Sequence, residues 1–350
     1  MTGREDSSLF RSAFASDLRF NTLEEAFARQ SAGSIARIDE SFEQQTTTFW
    51  VVKGFGEGRT VWIQAALHGD EHDGVIACGR LLAELAPGEL RGTLVVCPVA
   101  NPSALLAYAN ASPIDGVNLN RVFGGSGGSN PKSGSYSYRY GRWLADKIKS
   151  SADFLIDLHG GGQWLEVCPF AMAAGDRPEA YEEAMQALEN LPLTAVYTCR
   201  ADDKGMLINE AAAAGIPAVL LESGGGVSWT EEGVDTHLGS LHALLEHLGL
   251  GKLSSGVSAR FDASSLRIND AALRITEVSE LRFETDGIRT FNRRAGEQVR
   301  QGEPLLKVRV YPGLDEQTLV CPIEHGVILS IHAASAVRKG GYAVMLGKLA

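Results

Sequence analysis

Two apolar segments that each end in a histidine constrain the fold of this chain more than any other feature. Residues 61–67 are followed by His68, and residues 154–158, apolar except for Asp157, are followed by His159. Short runs of this kind are typical of strands buried on both faces of a sheet. Helical patterns lie between such runs, at residues 74–85, 138–149, 179–191, 207–214 and 236–248. Because strands alternate with helices, the sequence predicts an α/β fold with a mixed, mostly parallel sheet flanked by helices.

The first histidine belongs to a His-x-x-Glu motif, in which Glu71 follows His68 by three residues. Open α/β sheets bind ligands at the carboxyl ends of their strands, so we expect His68, Glu71 and His159 to line one crevice. Two imidazoles and one carboxylate form a ligand set of catalytic zinc, which keeps its fourth position open for water. A single His-x-x-Glu motif occurs by chance in many chains, but the second strand that ends in histidine favours a metal site. We therefore predict one Zn²⁺ per chain, bound by these three side chains.

Four short motifs, in this order and spacing, resemble the succinylglutamate desuccinylase/aspartoacylase family, a branch of the zinc carboxypeptidase clan. They are His-Gly-Asp-Glu at 68–71, Asn-Leu-Asn-Arg at 118–121, Asp-Leu-His at 157–159 and Leu-Glu-Ser-Gly at 221–224. The resemblance extends over roughly residues 45–350. It implies a zinc carboxypeptidase-like catalytic domain and a zinc-dependent amidohydrolase, which removes the acyl group from an N-acyl amino acid or a related small carboxylate.

Glu222 is the predicted general base. It follows the apolar residues 218–221 at the end of a third strand, where partial desolvation would raise its pKa toward the working range. The resemblance implies that it is the catalytic glutamate, which accepts a proton from the zinc-bound water and later protonates the leaving amine. The alternative is a structural glutamate whose carboxylate binds the glycine backbone that follows it. Asp157 is expected to point to the face of its strand opposite His159 and is interpreted as structural.

Arg121 is the predicted substrate anchor, because a guanidinium binds a carboxylate through two parallel hydrogen bonds. The alternative is a surface ion pair. The resemblance implies that Asn120 and Arg121 hold the carboxylate of the acylated amino acid. It also shows two differences: Asn110 occupies the place of an arginine that polarises the scissile carbonyl, and Asn118 the place of an aspartate. Losing such a charged donor could cost on the order of 2.7–4 kcal/mol if nothing replaces it. Three other arginines could replace it: Arg139, Arg142 and Arg200.

The C-terminal sequence changes character, from alternating strands and helices to short strands separated by turns. A linker candidate lies at residues 250–256, and short strands are predicted at 273–275, 287–291, 304–310 and 326–331. We place a catalytic domain at 1–258, with an N-terminal arm at 1–45, and a small all-β domain at 259–350 that resembles a barrel-sandwich (lipoyl-like) module. The turn at 322–326 has no lysine that could carry a prosthetic group, so this domain is interpreted as a lid or an assembly element.

Composition limits the partners. The net charge is −11, from 32 basic and 43 acidic residues without a basic cluster, which argues against nucleic acid or an anionic membrane as the main partner. No apolar run approaches the roughly 20 residues that span a bilayer, and the polar N-terminus lacks a signal-peptide core. Five scattered cysteines without a Cys-x-x-Cys motif predict reduced, mostly buried thiols. We therefore expect a cytoplasmic protein with a small-molecule substrate, and a homo-oligomer is possible.

Two further functions stay open at this point. A metallocarboxypeptidase or esterase would use the same zinc and the same arginine. A catalytically weakened zinc-containing binding protein would keep the pocket for capture, and Asn110 is the residue that supports this alternative.

Overall fold

The computed structural model describes residues 18–124, 134–189, 191–199, 205–226, 228–251 and 272–349. Seven α-helices lie within these ranges: α1 (Leu23–Arg29), α2 (Asp73–Glu84), α3 (Pro102–Leu106), α4 (Tyr136–Ser151), α5 (Pro178–Leu188), α6 (Leu207–Ala213) and α7 (Glu231–His247). None of these helices is long and apolar enough to cross a membrane.

The strands over the same ranges comprise nine in the first part of the chain and eight near its C-terminus. The first nine are β1 (Leu18–Phe20), β2 (Ser34–Phe42), β3 (Gln45–Lys53), β4 (Thr60–Ala65), β5 (Thr93–Cys97), β6 (Phe154–His159), β7 (Leu165–Ala174), β8 (Ala195–Cys199) and β9 (Ala218–Gly225). The other eight are β10 (Leu273–Arg282), β11 (Gly287–Asn292), β12 (Gln298–Arg300), β13 (Pro304–Val310), β14 (Glu316–Val320), β15 (His325–His332), β16 (Ala336–Val337) and β17 (Tyr342–Leu349).

Thirteen of the described strands form one mixed sheet, in the order β1-β2-β3-β5-β4-β6-β9-β7-β8-β10-β17-β15-β12. Its central strands β5, β4, β6 and β9 are all parallel neighbours. The predicted mixed α/β fold is confirmed. Among the described strands, six neighbouring pairs in this order are parallel and six are antiparallel, and β7 and β15 form one further antiparallel pair, so parallel strands predominate only at the centre.

Helices cover both faces of the central strands, which explains why those strands are apolar throughout. In β4, Val61 and Ile63 pack into a core shared with α2, α5 and α7, whereas Trp62 packs into a second core shared with α1, α4 and α6. Successive side chains of a strand point to opposite faces, so an apolar run without alternation fits burial on both. At the ends of the central strands the chain emerges from between these two cores, so polar side chains can be accommodated there.

The sequence patterns did not reveal β2, β7 and β8. β7 contains Pro169, which cannot donate a hydrogen bond to the ladder. The structure places Pro169 where the register between β7 and β9 shifts, between Val167 and Phe170, so no ladder hydrogen bond is needed from it. Helix α7 also begins earlier than predicted, because Thr230 caps it by accepting a hydrogen bond from the Gly233 amide.

The C-terminal strands are divided between two sheets. Strands β11, β13, β14 and β16 form a four-stranded sheet of their own. Strand β10 pairs with β8 and β15 pairs with β7, so other C-terminal strands extend the large sheet. The predicted boundary at 258/259 lies outside the described residues. The role as a lid or assembly element stays a prediction.

All five cysteines are buried and none is in a disulfide. Burial raises the pKa of the Cys78 thiol to about 12, which keeps it protonated and unreactive at neutral pH. The thiols therefore resemble the reduced, buried cysteines that the sequence predicts.

Candidate metal centre

Three adjacent parallel strands bring the predicted site residues to one edge of the sheet. Ala65 of β4 is paired with Leu158 of β6, so His68 and His159 follow at the same level. His159 is paired in turn with Glu222 of β9. The sheet register thus gathers residues that lie more than 150 positions apart in the sequence.

The three predicted metal ligands converge on one point. His68 Nδ1 lies 2.8 Å from Glu71 Oε1, and His159 Nδ1 lies 2.9 Å from Glu71 Oε2. One donor atom from each of these side chains falls within 4.8 Å of the others, and all three side chains are buried. The two imidazole rings meet edge to face with centroids 4.9 Å apart.

The donor set fits a divalent cation such as zinc. In both histidines Nε2 faces a side-chain oxygen, Asn118 Oδ1 at 3.0 Å and Asp157 Oδ2 at 3.2 Å, while Nδ1 faces the Glu71 carboxylate. With a cation bound between Nδ1 and Glu71, Nε2 would be the nitrogen that bears hydrogen. A neutral imidazole then directs the lone pair of Nδ1 at Glu71, and two lone pairs around one carboxylate need a positive charge between them. Glu71 Oε2 is also buried without a hydrogen-bond partner among the described residues.

The electrostatics of the ligands agree with this fit. Although burial opposes its charge, His68 and His159 lower the pKa of Glu71 to about 2. Burial disfavours the charged form of His159, but Asp157 and Glu71 outweigh it and raise the pKa of His159 well above its usual value. The site therefore collects positive charge when no metal is present, and a bound cation would take the place of a proton.

Two glycines let the ligand turns pack closely. A Cβ on Gly69 would lie 1.9 Å from the carbonyl carbon of Ala104 on α3, and a Cβ on Gly161 would lie 1.9 Å from the Leu165 oxygen. Any side chain at these positions would displace the backbone next to His68 or His159. The glycines of both motifs are therefore required by close approach rather than by flexibility.

The expected direction of the Asp157 side chain was wrong. Residues two apart in a strand share a face, and Asp157 accepts a hydrogen bond from His159 Nε2 while Gln64 Nε2 donates to its other oxygen at 3.1 Å. Asp157 is fully buried, and it orients His159, one of the three predicted metal ligands. The spacing itself could have identified this role.

His237 was not predicted to take part in the site either. Its Nε2 donates to the backbone oxygen of His159 at 3.0 Å, and burial lowers the pKa of His237 to about 4, so the ring stays neutral. It fixes the end of β6 from helix α7. His237 is one of three histidines on α7, and their spacing of five residues gives no sequence signal for such a contact.

Glu222 lies beside the ligand cluster and is partly buried. Burial and the neighbouring Glu71 raise the pKa of Glu222 to about 8, and Asp157 adds to this, while His159 and Arg121 act in the opposite direction. A cation bound by His68, Glu71 and His159 would act in the same direction as Arg121 and would lower the pKa of Glu222 below this value. The desolvation expected from the sequence is therefore present, and the glutamate can exchange a proton near neutral pH.

The residues of the Asn-Leu-Asn-Arg motif have different environments. Arg121 is exposed, its Nη1 donates to the Asn120 backbone oxygen at 2.7 Å, and its charge acts on Glu222. Asn120 is buried, accepts a hydrogen bond from the Leu207 amide at 2.9 Å, and lies with Nδ2 3.5 Å from His159 Nε2. Arg121 is thus exposed, whereas Asn120 is held inside the site between Leu207 and His159. The substrate-binding role of both residues stays a prediction.

Asn110 is exposed and accepts a hydrogen bond from Asn118 Nδ2 at 3.0 Å. Of the arginines that could replace a charged donor here, Arg139 is paired with Glu43, and Arg200 lies outside the described residues. Arg142 is exposed on α4.

Comparison with known proteins gives concordant matches. The family model of the succinylglutamate desuccinylase/aspartoacylase catalytic domain matches residues 57–248. An N-alpha-acetyl-L-2,4-diaminobutyric acid deacetylase from Halomonas elongata is 29% identical over 199 residues, which are 56% of this chain and 56% of that enzyme. The match therefore spans only about half the length of this curated relative.

Solved structures match over most of the chain. A succinylglutamate desuccinylase from a Silicibacter species has a TM-score of 0.72 and 25% identity, with 90% of this chain and 93% of that chain covered. The product-bound ectoine utilization protein EutE (DoeB) from Ruegeria pomeroyi has a TM-score of 0.74 at 22% identity, with 90% and 94% covered. At 22% identity the latter likeness shows the fold alone.

Proposed function

The chain belongs to the succinylglutamate desuccinylase/aspartoacylase family, and we propose on this premise that it is a zinc-dependent deacylase. It would cleave the amide bond of an N-acyl amino acid or a related small carboxylate. The observation that supports this most is the convergence of His68, Glu71 and His159 beside Glu222. The names of its relatives, a deacetylase and a desuccinylase, support the reaction class.

His68, Glu71 and His159 would hold the metal through the two Nδ1 atoms and the Glu71 carboxylate. A zinc ion bound there would supply Lewis-acid chemistry, which acidifies water and polarises a carbonyl. Asp157 and Asn118 would keep the two imidazoles in the tautomer that ligation requires.

Glu222 would move the protons. It would accept one from the attacking water and donate one to the nitrogen of the leaving amine. Because its pKa lies near neutrality, both the ionised and the protonated forms are accessible during one turnover. The positive charges of Arg121 and of the bound cation would favour the ionised form, which is the form that accepts the first proton.

Arg121 would bind the substrate carboxylate. Its guanidinium is exposed and is held by the Asn120 backbone oxygen, and its charge is felt by Glu222. A carboxylate bound there would place the scissile amide of a small substrate near the metal ligands. This geometry favours acylated amino acids over large polymers.

The test is release of free amine from a panel of N-acetyl, N-succinyl and other N-acyl amino acids, with and without a metal chelator. We expect chelator-sensitive release that returns when zinc is added back. Peptides with a free C-terminal carboxylate belong in the same panel, because faster cleavage of these would indicate a carboxypeptidase. Zinc bound in a 1:1 ratio without hydrolysis of any panel member would contradict the deacylase and favour the binding protein.

A further inference from the structure

We propose that Asn110 and Asn118 act as one unit that fixes the tautomer and orientation of His68. This inference rests on the proposed metal site but not on any substrate. Asn118 contacts His68 directly, and Asn110 acts on His68 only through Asn118. Both are therefore positioning residues rather than catalytic ones.

The first step is the orientation of the Asn118 amide. The backbone N–H of Asn120 donates to Asn118 Oδ1 at 2.8 Å, and a backbone amide can only donate. The atom that faces Asn120 must therefore be oxygen. The same oxygen lies 3.0 Å from His68 Nε2 and can only accept, so it favours the tautomer with hydrogen on Nε2. That tautomer leaves the lone pair of Nδ1, 2.8 Å from Glu71 Oε1, directed at the proposed metal position.

The second step is the other half of the amide. With Oδ1 directed inward, Asn118 Nδ2 points to Asn110 Oδ1 and donates to it at 3.0 Å. If the Asn118 amide rotated by half a turn, its NH₂ group would face two donors, the Asn120 amide and His68 Nε2. Asn110 stabilises the correct rotamer because it offers an acceptor where the correct rotamer presents its donor.

The third step is that the two residues depend on each other. A carboxylate at position 118 has two acceptor oxygens, so it needs no partner to select its orientation. A cationic side chain at position 110 would face the NH₂ group of Asn118, donor against donor, and would disfavour the correct rotamer. It would suit position 110 only if position 118 were an aspartate.

The experiment is a double-mutant cycle with two readouts, zinc affinity and the His68 tautomer. Zinc affinity is measured by competition with a chelator of known affinity. The tautomer is measured in the metal-free protein by ¹⁵N NMR of the neutral imidazole, in which the protonated and unprotonated nitrogens have distinct shifts. Because Glu71 competes there for a hydrogen on Nδ1, the quantity compared between variants is the share of the tautomer with hydrogen on Nε2. The variants are Asn110→Ala, Asn110→Arg and Asn110→Asp, each with Asn118 and with Asn118→Asp.

With Asn118 in place, Asn110→Ala is expected to weaken zinc binding about 2–10-fold, the usual range for one hydrogen bond, and to mix the tautomers of His68. Asn110→Arg is expected to weaken it at least as much. Asn110→Asp keeps the acceptor and is expected to stay within twofold of the parent. In the Asn118→Asp background, Asn110 is not needed to select the orientation of the carboxylate, so Asn110→Ala is expected to change zinc binding less than about twofold. Asn110→Arg in that background is expected to bind zinc as tightly as its parent or more tightly.

Equal effects of Asn110→Ala in both backgrounds would overturn the proposal, as would an unchanged His68 tautomer. Ile114→Ala, an exposed residue of the same loop, controls for general disturbance. If the parent protein bound no zinc, the proposed function would fail, but the tautomer in the metal-free protein would still decide the role of this pair.

Discussion

The two histidines of the metal centre are supported in contrasting ways. His159 ends a buried strand, and its partner Asp157 is a fully buried carboxylate on the same strand, braced by Gln64. His68 lies in a turn, and its partner Asn118 is a neutral amide 50 residues further along the chain. We call His159 with Asp157 the His159 arm, and His68 with Asn118 the His68 arm. The His159 arm is charged and lies on a regular strand, whereas the His68 arm is neutral and is built from loops.

This difference has an electrostatic consequence. A carboxylate behind an imidazole makes it a stronger base and a stronger metal ligand, and Asp157 does raise the pKa of His159. A neutral amide fixes geometry without adding charge. We therefore expect the His159 arm to contribute more to metal affinity, and the His68 arm to depend more on precise hydrogen bonding.

The largest expected effect comes from removal of either arm. His159→Ala and His68→Ala each leave two protein ligands, too few for a stable zinc site, so stoichiometric zinc and all hydrolysis should be lost. Zinc content after dialysis measures this directly. His242→Ala is the matched control, because His242 pairs with Glu84 3.2 Å away and is not a ligand. A His159→Ala protein that retained its zinc would refute the site.

Glu222→Gln should separate metal binding from proton transfer. The amide keeps the shape of the side chain but cannot accept a proton, so turnover should fall about 10²–10⁴-fold. Both histidine arms are intact in this variant, so zinc content should match the parent. If zinc were lost together with activity, Glu222 would belong to the metal-holding part of the site.

Asp157→Asn should remove the negative charge behind His159 and leave the three predicted metal ligands in place. Zinc affinity should fall about 10–100-fold, which is the usual effect of changing an outer partner of a ligand. Stability should also fall by about 1–3 kcal/mol, because the new amide brings a donor toward the donors of Gln64 and His159. Chelator competition and denaturant unfolding measure the two effects. Zinc affinity within twofold of the parent would show that the charge of Asp157 is not used.

The residues of the His159 arm could largely be predicted from the sequence, whereas the contact of His68 with Asn118 could not. Strand periodicity and the His-x-x-Glu spacing located His68, Glu71 and His159, because these relations are local. The same periodicity should have placed Asp157 beside His159. The prediction for Asp157 was wrong because the face of the strand was assigned incorrectly, not because information was missing.

The pair of Asn110 and Asn118 shows why the rest was inaccessible. Their contact depends on how an irregular segment folds back over Gly69, where close approach to Ala104 allows no side chain. No periodic pattern describes such a segment. The pairing of β10 with β8 is equally non-local, and so is the register shift between β7 and β9 that accommodates Pro169.

The smallest expected effect comes from making the two arms alike. Asn118→Asp puts a carboxylate behind His68, and a hydrogen bond to a charged acceptor is worth about 1 kcal/mol more than one to a neutral acceptor, or about fivefold in zinc affinity. Asn110 is exposed and can rotate its amide to donate to the new carboxylate. Unchanged or weaker zinc binding would mean that the cost of desolvating this carboxylate exceeds its benefit. Turnover should fall as affinity rises, because added negative charge near the metal weakens its action as a Lewis acid, so the neutral arm favours catalysis over tight metal binding.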